Sequence, residues 1–141
     1  TPAFTVGEVV SAQDREGLID LRWHVLRPGR PRSSAHFDGD DAASTVHLAA
    51  RGADGRVVGC ATLIDARGMQ LRGMAVDPAW QGRGVGAAIV ARAQEMAAER
   101  GVELWCNARL SASGFYAACG WDPEGEIFEV PGIGPHVAMR W

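Results

Sequence analysis

The stretch Gln81-Gly82-Arg83-Gly84-Val85-Gly86-Ala87 decides how this chain is read. Glycines crowded at a helix start lose much backbone entropy on folding. A cation there also opposes the helix dipole, which favours negative charge at that end. Both oddities make sense if an anion docks on the free backbone N–H groups, with Arg83 adding charge. The competing reading is a tight turn packed closely on a neighbouring strand. Downstream, Val85, Ala88, Ile89, Ala93, Met96 and Ala97 recur at helical spacing, so a helix is expected over about 84–100, with Gly101 as its C-cap.

Upstream, Met69 to Val76 reads as a strand whose parity changes partway. Met69 and Leu71 stand at odd positions, Met74 and Val76 at even ones, and Gly73 lies at the switch. One extra residue in a strand reverses which side chains face the core, so a β-bulge is expected at Gly73. Further out, Phe4 to Val10 reads as a strand. Ser11 then offers an N-cap, with Asp14 at the capping-box position, to a helix carrying Leu18, Leu21, Val25 and Leu26. Arg27-Pro28-Gly29-Arg30-Pro31 stops that helix. Residues 32–44 are polar and irregular, a surface loop by composition or a flexible loop on the substrate side.

Thr45 to Arg51 alternates as a half-buried strand, and Val57 to Ile64 returns as its hairpin partner. Val102 to Cys106 reads as a short strand and Ser111 to Cys119 as a short helix ended by Gly120. Glu126 to Val130 and His136 to Trp141 read as two closing strands. The order is β, α, three antiparallel β, α, β, α, β, β, an α/β domain with a mixed, mostly antiparallel sheet.

Length and composition bound the rest. At 141 residues the chain suits one domain, 1–141, large enough to bury a core without disulfides or metal. With 47% apolar and 22% charged residues it is not a disordered chain, and no run is long and apolar enough to span a bilayer. A net charge of −3 argues against a nucleic-acid binder working through bulk positive charge, although all 14 basic residues are arginine. With the heavy use of Ala and Gly, that choice reads as codon bias in a high-GC bacterial genome. Cys60, Cys106 and Cys119 form no C-x-x-C pair and sit among apolar neighbours, as small buried hydrophobes in a reducing cytoplasm would. His24, His36, His47 and His136 show no metal-binding spacing, so no metal is expected.

Gly82-x-Gly84-x-x-Ala87 also matches a dinucleotide fingerprint, but the context does not fit. Asp77-Pro78-Ala79-Trp80-Gln81 intervenes after the strand, and the next strand ends in Cys106-Asn107 rather than in an acidic residue. A P-loop would need a lysine. Q-x-x-G-x-G at Gln81, Gly84 and Gly86, directly after a bulged strand ending M-A-V-D-P, fits better. Here the sequence resembles the GNAT superfamily of acetyl-CoA-dependent N-acetyltransferases. A second signature agrees: Asn107 ends a strand, followed by Phe115-Tyr116-Ala117-Ala118-Cys119-Gly120-Trp121. The tail, Gly125-Glu126-Ile127-Phe128-Glu129 and Gly132 to Met139, is similar to the ElaA-like branch. The resemblance spans essentially the whole chain.

The resemblance implies a fold with a splayed, bulged central strand, acetyl-CoA as co-substrate, no metal, and a primary amine of unidentified identity as acceptor. It implies that backbone groups of Met74, Ala75 and Val76 hold the pantetheine arm. Gln81, Gly82, Arg83, Gly84, Val85, Gly86 and Ala87 would cradle the pyrophosphate. Asn107 would bond the pantetheine, with Phe115 beside it, and Tyr116 would protonate the departing thiolate. Read without the family, Tyr116 is first a helix tyrosine anchored in the core by one hydrogen bond, and only the resemblance reverses that preference.

The general base is not legible, because the bulged strand offers only Arg72 and Gly73 where some family members carry Glu or His. Glu126 and His136 lead the candidates, ahead of Glu129, His36 and Asp38. Acceptor specificity is expected from residues 27–44 and the final hairpin. The rival function is a non-catalytic acyl-CoA sensor. Neither nucleic acid nor membrane is an expected partner. Monomer and homodimer both stay open, the latter through an exposed terminal strand near Trp141.

Overall fold

A computed structural model describes residues 3–141. Its elements follow the expected order: β1 (Phe4–Glu8), α1 (Ala12–Leu26), β2 (Val46–Gly52), β3 (Val57–Asp65), β4 (Met69–Val76), α2 (Val85–Arg100), β5 (Leu104–Arg109), α3 (Ser113–Ala118), β6 (Asp122–Val130) and β7 (Gly134–Arg140). One sheet takes them in the order β1-β2-β3-β4-β5-β7-β6. Every neighbouring pair is antiparallel except β4 and β5, which run parallel.

Hydrophobic pattern decides which face each helix covers. Ile89, Val90, Ala93 and Ala97 of α2 join Leu48, Ala50, Leu63 and Leu71 in the larger core cluster. Leu18, Ile19 and Leu21 of α1 join Cys60 and Ala75 in a second cluster. Neighbouring strand residues such as Cys60 and Ala61 fall in different clusters, so the helices cover opposite faces of the sheet. This corrects the half-buried reading of β2, where Leu48, Ala49 and Ala50 are all fully buried. Helix α2 lies so close that a Cβ at Gly59 would stand 2.5 Å from Val85 Cγ1 and 2.9 Å from Ile89 Cδ1. Only glycine fits beneath it.

The bulge is where the parity change places it. Thr62 pairs with Arg72 and Cys60 with Ala75, so β4 carries one more residue than β3 across that interval. Gly73 takes φ +60° there. Met69, Leu71, Met74 and Val76 all reach the α2-side cluster, while Ala75 turns to α1.

Several boundaries differ from the sequence reading, for identifiable reasons. Ser11 Oγ accepts from Asp14 N at 3.1 Å, but the Asp14 carboxylate pairs with Arg51 at 2.6 Å instead of closing a capping box. β5 starts later and runs on to Arg109, because Asn107, Ala108 and Arg109 pair with β7. β6 starts at Asp122, four residues early, as an exposed outer strand without apolar alternation. The terminal strand β7 is paired on both sides and offers no free edge; β6 is the edge strand instead. The expected Ser111–Cys119 helix divides into a 3₁₀ turn, Leu110–Ala112, and α3.

The largest correction concerns residues 32–44, which are not a loose surface loop. Arg32–Ala35 forms a 3₁₀ turn with Ala35 fully buried, and Asp40 is 5% exposed. Asp40 neutralises Arg22, a fully buried guanidinium on α1. Arg22 Nη1 and Nη2 donate to the two Asp40 carboxylate oxygens at 2.7 and 3.0 Å, and also to Ala35 O at 3.0 Å and Thr62 Oγ1 at 2.6 Å. His47 completes the network. Its Nε2–H donates to Asp40 O at 2.9 Å, which leaves Nδ1 to accept the Thr62 hydroxyl proton at 2.7 Å.

That arrangement fixes the charge states. Burial alone would raise the Asp40 carboxyl, but Arg22, the Phe37 backbone N–H and nearby positive charge outweigh it and hold the group below its ordinary value. Burial pushes His47 below the usual histidine range, helped by Arg15 and Arg22. A second proton on His47 would also meet the Arg22-bonded Thr62 hydroxyl.

Asp40→Ala strands a buried guanidinium and is expected to cost about 3–5 kcal/mol in urea unfolding. For both groups the folded pKa is depressed. Their stabilisation is therefore complete above the unfolded values, about 6.5 for His47 and about 3.9 for Asp40. It is lost as pH falls through the folded values. Unfolding free energy measured from pH 8 to pH 4 should fall from about pH 6.5 downward, and His47→Gln should flatten the upper part of that fall.

Candidate functional site

β4 and β5 pair over only three positions, Met69–Leu104, Gln70–Trp105 and Leu71–Cys106. Beyond them the bulge at Gly73 bends β4 away, and the strands diverge. The opening is a cleft of about 580 Å³. Arg72, Gly73 and Met74 form one wall, Asn107, Ala108 and Arg109 the other, and Gln70 and Leu71 lie at the closed end. Leu26, Arg27, His36, Phe37 and Asp38 border it from the α1 side, and Phe115 and Tyr116 from α3. Phe128, Val130, Ile133 and His136 of the final hairpin close the remaining side.

Tyr116 is 5% exposed and packs against Phe115 and Trp121, each with ring centroids 5.1 Å away. Burial pushes its hydroxyl well above the ordinary tyrosine range, and the neighbouring Cys106 reinforces the shift. It therefore holds its proton at neutral pH. Asn107 is exposed on the β5 wall.

His136 is 8% exposed, stacks on Phe128 with centroids 5.9 Å apart, and has Nδ1 2.9 Å from Gly134 O. A carbonyl only accepts, so Nδ1 carries the hydrogen and Nε2 of the neutral ring keeps a lone pair. Of the other base candidates, His36 and Asp38 border the cleft, whereas Glu126 and Glu129 do not. Glu126 is exposed in a bulge of β6, where three residues, 125–127, stand opposite Val137 alone.

Ala75, Val76 and the glycine loop continue β4 beyond the cleft walls. A 3₁₀ turn, Pro78–Trp80, leads into the loop, and its N-cap Asp77 accepts from Ala79 N at 2.9 Å. Gln81 Nε2 lies 3.5 Å from Val76 O, and Arg83 sits over the Trp80 ring at 5.0 Å. Gly82 and Gly84 adopt φ +77° and +81°, where an L side chain is strained. Gly84 is the N-cap of α2 and supplies no side-chain bond, so the first N–H groups of the helix, from Val85 onward, stay uncapped. Gly86 has a different reason: a Cβ there would meet Phe115 Cζ at 3.1 Å. The loop thus presents free donors and one cation, the requirements of an anion site.

The cysteines are poor nucleophiles. Burial pushes both the Cys60 and Cys106 thiols up to about 12, and raises Cys119 as well. Among the described residues, no group of three or more His, Cys, Asp or Glu is gathered so as to hold a metal. No helix among them is long and apolar enough to cross a membrane.

Residues 33–141 match the model of the acetyltransferase (GNAT) domain. YitI of Bacillus subtilis (strain 168), described as an uncharacterized N-acetyltransferase, is 33% identical over 133 residues, which cover 88% of this chain and 89% of that protein. Among solved structures, a candidate N-acetyltransferase from Lactobacillus plantarum superposes with a TM-score of 0.84 at 22% identity, over 98% of this chain and 97% of its own. Escherichia coli ElaA gives 0.77 at 17% identity, over 97% and 98%. An aminoglycoside 6'-N-acetyltransferase complexed with coenzyme A gives 0.82 at 16% identity, over 97% and 96%. At these identities the structural likeness is one of fold.

Proposed function

The chain belongs to the GNAT acetyltransferase family, whose members transfer an acyl group from acyl-CoA to an amine, and from that premise we propose direct transfer from acetyl-CoA to a primary amine. The observation that carries this reading is the divergence of β4 and β5, with Tyr116 beside the opening and an uncapped helix N-terminus at the end of β4. Holding both substrates in one cleft replaces a covalent intermediate, which suits a chain whose thiols are protonated.

Bound acetyl-CoA supplies an acyl group activated as a thioester. Backbone groups of Met74, Ala75 and Val76, left unpaired on the side facing β5, would bond the pantetheine, with Asn107 opposite and Phe115 beside it. N–H groups from Gly82 to Ala87, with Arg83 and Gln81 alongside, would take the pyrophosphate. His136 Nε2 would accept the ammonium proton, directly or through water, and free the lone pair with which the amine nitrogen then bonds the carbonyl carbon. As the carbon–sulfur bond breaks, Tyr116 would donate its proton to the sulfur, and the further proton that the nitrogen sheds in becoming an amide would return to the tyrosine oxygen through water. Its high pKa makes it a donor that is always loaded at neutral pH. Glu126, exposed and outside the cleft, has no part in this scheme.

Two substitutions test the reading. Ala87 is exposed in the first turn of α2, where a carboxylate suits the helix dipole but opposes an incoming phosphate. Ala87→Asp should leave the melting temperature unchanged or higher and weaken coenzyme A binding in calorimetry; unchanged affinity would remove the anion site. Tyr116→Phe keeps the packing ring, and should lower kcat by up to about 10²–10⁴-fold with acetyl-CoA affinity intact. A variant that is less stable yet turns over normally would make the hydroxyl a core anchor. Coenzyme A binding with no thiol release across an amine panel would favour the sensor.

A further inference from the structure

The cleft contains an imbalance of charge that acyl transfer alone does not need. Arg27, Arg72 and Arg109 all line it, and Asp38 is the only carboxylate on its walls. Elsewhere Arg15, Arg22, Arg32, Arg51, Arg56, Arg92 and Arg140 each stand within 4.0 Å of an Asp or Glu oxygen, whereas Arg30, Arg67, Arg83 and Arg100 are scattered singly without one. Among the described residues, the three in the cleft have no such partner. Their protein bonds go to backbone carbonyls alone. Arg27 Nη1 and Arg109 Nη2 even share one acceptor, Leu26 O, at 3.0 and 3.2 Å, and Arg72 Nη1 donates to Asp38 O at 3.0 Å.

Two guanidinium groups gathered on one neutral oxygen repel each other. Burial and the charge of Arg109 accordingly push Arg27 below the ordinary arginine value. Each group has spent one of five N–H donors in this way, and the planar fork that remains matches a carboxylate. Leu26, Phe37, Val130 and Ile133 give the same cavity an apolar lining suited to a small carbon skeleton.

We propose that the acceptor is an amine that also carries a carboxylate, and that Arg27 and Arg109 bind that carboxylate between them. Arg72 adds to the positive field. The inference rests on the acyl-transfer reading for its amine, and on the cleft alone for its anion.

The test uses α-amino and ω-amino acids, each paired with its own carboxamide, and O-phosphoethanolamine as a third arm. Two readouts are taken: the melting temperature of the protein saturated with coenzyme A, and thiol release from acetyl-CoA. At least one amino acid should raise the melting temperature and react with a lower KM than its amide. Arg27→Gln and Arg109→Gln should each raise that KM by about 10–100-fold while leaving the KM of the amide unchanged. Because each variant relieves repulsion, neither should melt below the wild type without ligand; Arg27→Lys, which keeps the charge but loses the fork, should recover only part of the affinity. The preference should also weaken with added salt.

Equal binding and turnover of acids and amides would overturn the inference and leave acyl transfer standing. So would preference for the phosphorylated amine alone. Binding of acids over amides with no turnover of any amine would overturn the enzymatic reading and leave the anion site standing.

Discussion

A fully buried guanidinium must be neutralised where it stands, and the Arg22–Asp40 pair does this between α1 and the chain that follows it. Without it, residues 27–44 would have little reason to fold back, since their composition is too polar to form a core. With it, Phe37 lies over the Arg22 guanidinium at 4.2 Å from the ring centroid, and His36 and Asp38 on either side border the cleft. The same arginine sets the bulge. A Cβ at residue 73 would stand 2.8 Å from Arg22 Nε and 3.1 Å from Phe37, so the extra residue of β4 has to be glycine for spatial as well as backbone reasons. Loop, bulge and cleft are therefore one coupled arrangement.

Two groups of arginines have opposite consequences. Arg22 and Arg51 are matched with carboxylates and hold elements together. Those in the cleft are left unmatched, which works against the folded state. Strain of this kind concentrates where a protein binds something, because a site already satisfied by its own side chains has nothing left to offer.

What was legible in the sequence was whatever leaves a periodic or conformational mark. The switch of parity at Gly73 is visible because four apolar side chains must reach one core. The glycine loop is visible because helices rarely begin that way. Arg22 was not legible: arginine ordinarily lies at the surface, and four residues after Leu18 it reads as an interruption of the apolar stripe rather than a member of it. Asp40, its partner, was hidden within a run of polar residues. β6 escaped notice at its start because an exposed outer strand needs no apolar alternation. The final hairpin put Glu126 and His136 on equal terms until pairing separated them, one into an outward bulge and one onto the cleft wall. Which side chain turns inward depends on register, and a register shift across 125–127 leaves no mark in composition.

Once β4 and β5 part, each presents a row of backbone amides and carbonyls that no neighbouring strand satisfies. A sheet normally exposes such rows at its rim, where they invite other chains. Here the two rows face each other inside the molecule, between helices, and a whole strand with its side chains has no way in. A slender, extended molecule with amides of its own can bridge the gap as an added strand would.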